Sequence, residues 1–324
     1  MKSKWLFILL SFTLCIACQH DVDMPLVKLI ECSSMPSPIA GAGWCVYNNE
    51  IYAFGGRNNS GNYTNDIWKY TPSTDTWENI GVAPFDACVS LSACVVNDCG
   101  YIGLGYTGPI HRETSYRRDF WEYNFITNTW KRLADFPSNT TVKNCLLADD
   151  NAIYALYGFY RQFTNDIYRY DMSTNSWTKV EACIENSIPR AMDVVGTTCQ
   201  YRHFVGTGFN HGSLRFWAEW LPTEKKLEKK SKILGPGRNA AACCATEDYV
   251  YIAGGRHYGD TLSTGFLFQS IQRYNPQHDN WCYVGNMPYK AENMVIQNVG
   301  NQLFIGLGET SDGIIQNNWY RIEE

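Results

Sequence analysis

The sequence predicts an all-β fold, a six-bladed β-propeller in which a strand from the N-terminus closes the last blade. Three observations carry this. A unit of about fifty residues recurs along the chain. Each copy has a short apolar run ending in glycine, followed in four of the six by a tyrosine and a tryptophan seven residues apart. No segment interrupts the period for long enough to form a second domain. Four copies are complete: residues 52–56 with Tyr70 and Trp77, 101–105 with Tyr123 and Trp130, 154–158 with Tyr170 and Trp177, and 251–255 with Tyr274 and Trp281. A degenerate copy covers residues 201–208 and 216–219, with Leu227 near the tryptophan position. A last copy covers 303–308 and 319–322. Taking Tyr70, Tyr123, Tyr170, Glu219, Tyr274 and Ile322 as equivalents gives steps of 53, 47, 49, 55 and 48 residues.

The unit reads as four antiparallel strands, a to d. The run before the glycines is short and apolar, as a buried strand is. Glycine at its end lets another backbone come close. Tyrosine and tryptophan fall on two strands joined by explicit turns at 71–75, 125–128, 171–175 and 275–279. One such sheet cannot bury both faces, and stacking the sheets around an axis solves this. The pattern resembles the kelch repeat over nearly all of the chain after residue 25, so most of the repeated Gly, Tyr and Trp residues are expected to pack rather than bind.

The remaining elements follow in order. Lys2 and Lys4 precede an apolar run over residues 5–16, which reads as a signal peptide at 1–17, too short to span a bilayer. Cys15-Ile-Ala-Cys18 resembles a bacterial lipobox, with Cys15 where leucine is usual. The resemblance implies lipidation at Cys18, a tether over 18–25, and a cell-envelope location on the periplasmic face or cell surface. Residues 26–32 are expected to supply strand d of the last blade, which otherwise lacks one. Met35-Pro36 then matches Phe136-Pro137 and Met287-Pro288. The propeller is assigned to 26–324. Eleven cysteines follow Cys18, with spacings that make neither a disulfide framework nor a metal motif, so mostly free, buried thiols are expected. The net charge of −5 gives no case for nucleic acid, and the pairs Lys225-Lys226 and Lys229-Lys230 read as a solvated hairpin.

Function is expected on the loops at one mouth of the channel. Arg57, Arg161 and Arg256 follow strand-b glycines, with His257 and Tyr258 next to Arg256. Arg190 and Arg238 follow prolines between blades. Arginines offer forked donors to a carboxylate or phosphate, and Tyr106, Phe159, Tyr160, Phe209 and Tyr258 offer flat faces to a sugar. The leading expectation is a carbohydrate-binding propeller that takes an anionic sugar or glycan such as sialic acid, needs no cofactor or metal, and is tethered to a membrane. A protein-interaction scaffold, with a protein partner in place of the glycan, is an alternative. Another is an enzyme resembling N-acetylneuraminate epimerase, the sialic acid mutarotase, which is also a six-bladed kelch protein. That resemblance implies a loop glutamate followed by Leu-Arg. Leu214-Arg215 matches the second part, and Glu309, two blades away, supplies the only glutamate directly after a strand-b glycine. Glu309 and Arg215 are therefore the candidate catalytic residues.

Overall fold

The computed structural model describes residues 26–109, 112–139, 141–259 and 265–323. The signal peptide, the tether and Cys18 lie outside the described residues. Six antiparallel sheets stand around a central channel. Their innermost strands a are Gly43–Tyr47, Ser92–Val96, Cys145–Ala148, Val195–Cys199, Ala242–Ala245 and Val295–Val299, defining blades 1 to 6. Strands b are Glu50–Asn58, Cys99–Gly103, Ala152–Leu156, Arg202–Gly206, Val250–Ala253 and Gln302–Gly306. Closure is as expected: Lys28–Cys32 pairs antiparallel with Trp319–Glu323 and forms strand d of blade 6, which completes that sheet to four strands with one supplied from the other end of the chain. Val27 adds a backbone bond to Val284 of blade 5.

The tyrosine and tryptophan of each complete repeat pack onto the preceding blade. Trp77 meets Trp319 at 5.5 Å between ring centroids, Trp130 meets Phe54 at 5.8 Å, Trp177 meets Phe120 at 5.1 Å, and Trp281 meets Trp217 at 5.3 Å. Edge-to-face pairs of this kind are worth more than their buried area alone. The tyrosine hydroxyls donate to the side chain of the strand c to d turn: Tyr70 to Asp75, Tyr123 to Asn128, Tyr170 to Asn175 and Tyr274 to Asp279, at 2.7–2.9 Å.

Blade 4 corrects the repeat alignment. Register pairs Trp220 with Leu227 and with His203, as it pairs Tyr70 with Trp77 and with Ile51 in blade 1. Trp220, not Glu219, is therefore the tyrosine equivalent, and it packs on Tyr154 of blade 3. Glu219 points the other way along the pleat and receives Arg202 at 2.6 Å and Lys230 at 2.9 Å. Lys230 is thus a half-buried partner rather than a solvated hairpin charge. Blade 4 also carries a fifth strand, Cys183–Ile184, parallel to Lys226–Lys229. All eleven cysteines of the described residues are free thiols.

Candidate functional site at the channel mouth

Two features of each repeat build the mouth. The first is the glycine that ends strand b. Gly56, Gly105, Gly158, Gly208, Gly255 and Gly308 all adopt φ between 86° and 115°. A Cβ at Gly105 would lie 2.5 Å from the carbonyl oxygen of Val89, and one at Gly255 would lie 2.8 Å from that of Asn239. Only glycine lets the chain run this close to the segment entering strand a. The residue before it is also left-handed, yet is Leu104, Tyr157, Thr207 or Leu307 in four blades, so the first glycine of the GG pair is dispensable and the second is not.

The close approach delivers the next residue to the mouth by a fixed bridge to the residue entering the neighbouring strand. The bridges are Ala40 with Arg57, Val89 with Tyr106, Val142 with Phe159, Met192 with Phe209, Asn239 with Arg256, and Glu292 with Glu309. The mouth is accordingly divided. Blades 5, 6 and 1 present Arg256, Glu292, Glu309 and Arg57, while blades 2 to 4 present Tyr106, Phe159 and Phe209.

The second feature lies one residue further along. Gly41, Ser90, Lys143, Asp193, Ala240 and Asn293 all adopt φ between 50° and 68° and form a ring at the top of the channel. A cavity of about 210 Å³, lined by residues of all six blades that lie in strand a or just before it, sits there. Lys143 of blade 3 and Asp193 of blade 4 are ion-paired within it, and Asn239 donates to the same carboxylate at 3.4 Å.

The arginines of the charged half are not a bare cationic cluster. Arg57 pairs with Glu309 across the junction of blades 1 and 6. Arg256 pairs with Glu292 at 2.7 Å across the junction of blades 5 and 6, and its guanidinium lies 5.6 Å from the Tyr258 ring centroid. Hydrogen bonding to Glu292 holds Arg256 above the usual arginine value. With Lys143 and Asp193, three cations and three carboxylates share the opening. Burial pushes the Tyr106 hydroxyl up, against the nearby Lys143 ammonium, so Tyr106 stays a neutral donor. Burial raises Tyr258 in the same way, opposed by Arg256.

The other expected site residues separate. His257 pairs with Phe266 in a short hairpin and shares a 2.8 Å hydrogen bond through Nδ1 with the carbonyl of Gly237. Tyr258 is placed by two bonds with Ser213: its N–H donates to Ser213 Oγ at 2.8 Å, and its carbonyl accepts from the Ser213 N–H at 2.9 Å. Arg161 and Arg190 stand further out, with Phe163 and His211, around a separate recess between blades 3 and 4. Arg161 is 74% exposed and 3.9 Å from Glu113. Arg238 is 1% exposed and lies inside the wall. It donates to Gly254 and Ser270, sits 4.1 Å from the Phe268 ring centroid, and is pushed down to about 10 by burial. Arg215 donates to the carbonyl of Ile233 beyond strand d, as Arg118 does to Phe136 in blade 2. It is an edge latch, and the structure does not bring it to Glu309. Sequence reasoning missed Glu292, Lys143 and Asp193. No glycine marks them, and their signal is only their shared offset before strand a. Among the described residues no group of three or more His, Cys, Asp or Glu could hold a metal ion.

Six four-stranded repeats closed around a channel, with a mouth built by the residue after each strand-b glycine, define a kelch-type propeller. The KLHDC2/KLHL20/DRC7 Kelch-repeats domain matches residues 18–207, and a further Kelch motif matches residues 237–288. The chain belongs to this Kelch-repeats family. Kelch-like protein 25 of Xenopus tropicalis is 23% identical over 83% of this chain and 45% of that protein. N-acetylneuraminate epimerase of Pasteurella multocida (strain Pm70) is 24% identical over 62% of this chain and 47% of the enzyme. The epimerase of Escherichia coli O9:H4 (strain HS) is 23% identical over 69% and 55%. The chain thus spans about half the length of the curated relatives it matches. The solved structure titled "Structure of YjhT" superposes with a TM-score of 0.73 at 14% identity, over 90% of this chain and 99% of that one, which speaks for the fold.

Proposed function

We propose that the protein binds a carboxylated sugar at the channel mouth and accelerates the interconversion of its anomers, as a mutarotase-type enzyme. The observation that carries this is the blade 6 pair Glu292 and Glu309, bridged to each other and each held by an arginine from a flanking blade. Sugar hydroxyls both donate and accept, so alternating carboxylate and guanidinium groups suit a polyol better than a bare cationic patch would. The aromatic half of the mouth offers Phe159 and Phe209 to the apolar face of the ring. Similarity to N-acetylneuraminate epimerases supports the choice of an anionic sugar.

In this reading Glu309, positioned by its ion pair with Arg57, takes the proton of the anomeric hydroxyl. The bond between the anomeric carbon and the ring oxygen breaks, and the neutral Tyr106 hydroxyl supplies a proton to that oxygen. Rotation of the freed carbonyl and reclosure on its other face return both protons, so no cofactor or redox change is needed. Proton NMR of N-acetylneuraminate released by a sialidase tests the proposal. The wild type should accelerate approach to the anomeric equilibrium, and Glu309→Gln should lower kcat by about 10²–10⁴-fold. No acceleration by the wild type at micromolar protein would contradict it. The same reading includes an extracytoplasmic, lipid-anchored location through Cys18, checked by whether Cys18→Ala moves the protein out of the membrane fraction.

A further inference from the structure

The throat below the mouth holds a charged pair that the proposed chemistry does not use. We propose that Lys143 is the seat of the sugar's carboxylate and that Asp193 is the counter-ion fixing it there. The inference rests on the reading of the mouth as a carboxylated-sugar site and names the group that reads the charge.

Gly41, Ser90, Lys143, Asp193, Ala240 and Asn293 occupy equivalent positions in the six blades. The fold imposes a left-handed backbone on all six positions, and glycine, serine and alanine meet that demand at three of them without any charge. A lysine there pays left-handed strain that glycine avoids. An ion pair drawn partly out of water also adds little net stability, because desolvation offsets the attraction. Asp193 is only 9% exposed. The fold therefore explains the conformation but not the choice of these two residues.

The surroundings indicate what the pair could take. Gly41 and Ser90 are small, which leaves space in the cavity of about 210 Å³ that they line together with Lys143 and Asp193. Lys143 is the only cation lining that cavity among the described residues. Its ammonium carries three donors. Asp193 takes one, and no described residue accepts the others. Asn144, 7% exposed on the same wall, gives its amide N–H to the carbonyl of Tyr157 while its Oδ1 has no partner. Donor and acceptor capacity is thus left over together, as a carboxylate beside a hydroxyl requires. Burial lowers the lysine's affinity for its proton, but Asp193 outweighs this and holds it above the usual lysine value, so the ammonium is charged at neutral pH. By contrast, Arg57 and Arg256 are each committed to a blade 6 glutamate.

The test compares binding of N-acetylneuraminate and its methyl ester by titration NMR, with anomer exchange measured separately. The wild type should bind the acid at least about tenfold more tightly than the ester, the worth of one charge-assisted hydrogen bond. Lys143→Met should bring that ratio to within about threefold, and Lys143→Arg should restore it. Should Lys143→Met not fold, Lys143→Gln takes its place. A ratio near one in the wild type overturns the inference. So does a ratio that survives in Lys143→Met but collapses in Arg57→Ala or Arg256→Ala, which assigns the carboxylate to the arginines. Discrimination that depends on Lys143 without anomer exchange sustains the inference and refutes the catalytic reading alone.

Discussion

The waist of the propeller and its mouth are built by the same repeat and obey different rules. At the waist the residues recur: Tyr70, Tyr123, Tyr170 and Tyr274 make the same turn bond and lie beside the same tryptophan, because each blade must present one shape to the next. At the mouth only the backbone recurs. The six residues after the glycines are two arginines, two phenylalanines, a tyrosine and a glutamate on identical bridges. Repetition marks what holds the blades together, and departure from it at a fixed backbone position marks the place proposed for the ligand.

The largest expected effect breaks the waist. Deleting residues 26–32 leaves Trp319–Glu323 without its outer strand and opens the ring. It should lower the melting temperature more than any single substitution, as calorimetry would show. Next is Trp217→Ala. Trp217 is fully buried between Phe204, Tyr274 and Trp281, and its loss should cost about 3–5 kcal/mol in denaturant unfolding. Glu309→Gln should cost about 1 kcal/mol or less. Equal losses for the two would erase the division between waist and mouth.

A smaller effect concerns acid stability in blade 4. Burial raises Glu219, but bonds from Arg202 and Lys230 outweigh it and hold the carboxyl below its ordinary value of 4.5. A depressed folded-state value contributes stability above the unfolded value, and that contribution is lost as pH falls through the folded one. Glu219→Gln should therefore destabilise the protein at pH 7 and flatten the fall in stability below about pH 4.5. An unchanged acid slope would contradict the pairing. The smallest effect is at the thiols. Burial pushes Cys88 and Cys145 up to about 12 and Cys199 up to about 11, whereas Cys183 is exposed. A disulfide reagent at pH 8 should modify Cys183 first, with no loss of fold.

The sequence revealed the waist almost completely because packing writes itself as periodic residue types. It erred by one residue in blade 4. There Glu219 and Trp220 are adjacent, and the seven-residue spacing to Leu227, which picks out Trp220, was the better guide. The mouth was half legible. Arg57, Arg256 and Glu309 follow a visible glycine, but their partners do not. Glu292 pairs with a residue 36 positions earlier, and Lys143 with one 50 positions later, so no local pattern could join them. Arg238 and Arg215 looked like ligand or catalytic residues because a proline or a leucine preceded them. Burial and a carbonyl 18 positions away set their places instead.

The central claim is that the charged half of the mouth is chemistry and not architecture. Anomer exchange of N-acetylneuraminate, followed by proton NMR for the wild type, Glu309→Gln, Glu292→Gln and Trp220→Phe, tests it most directly. The account predicts acceleration by the wild type, its loss in Glu309→Gln with the melting temperature nearly unchanged, and its retention in a Trp220→Phe protein that melts earlier. Exchange at the uncatalysed rate in the wild type, or equal activity in Glu309→Gln, would contradict it.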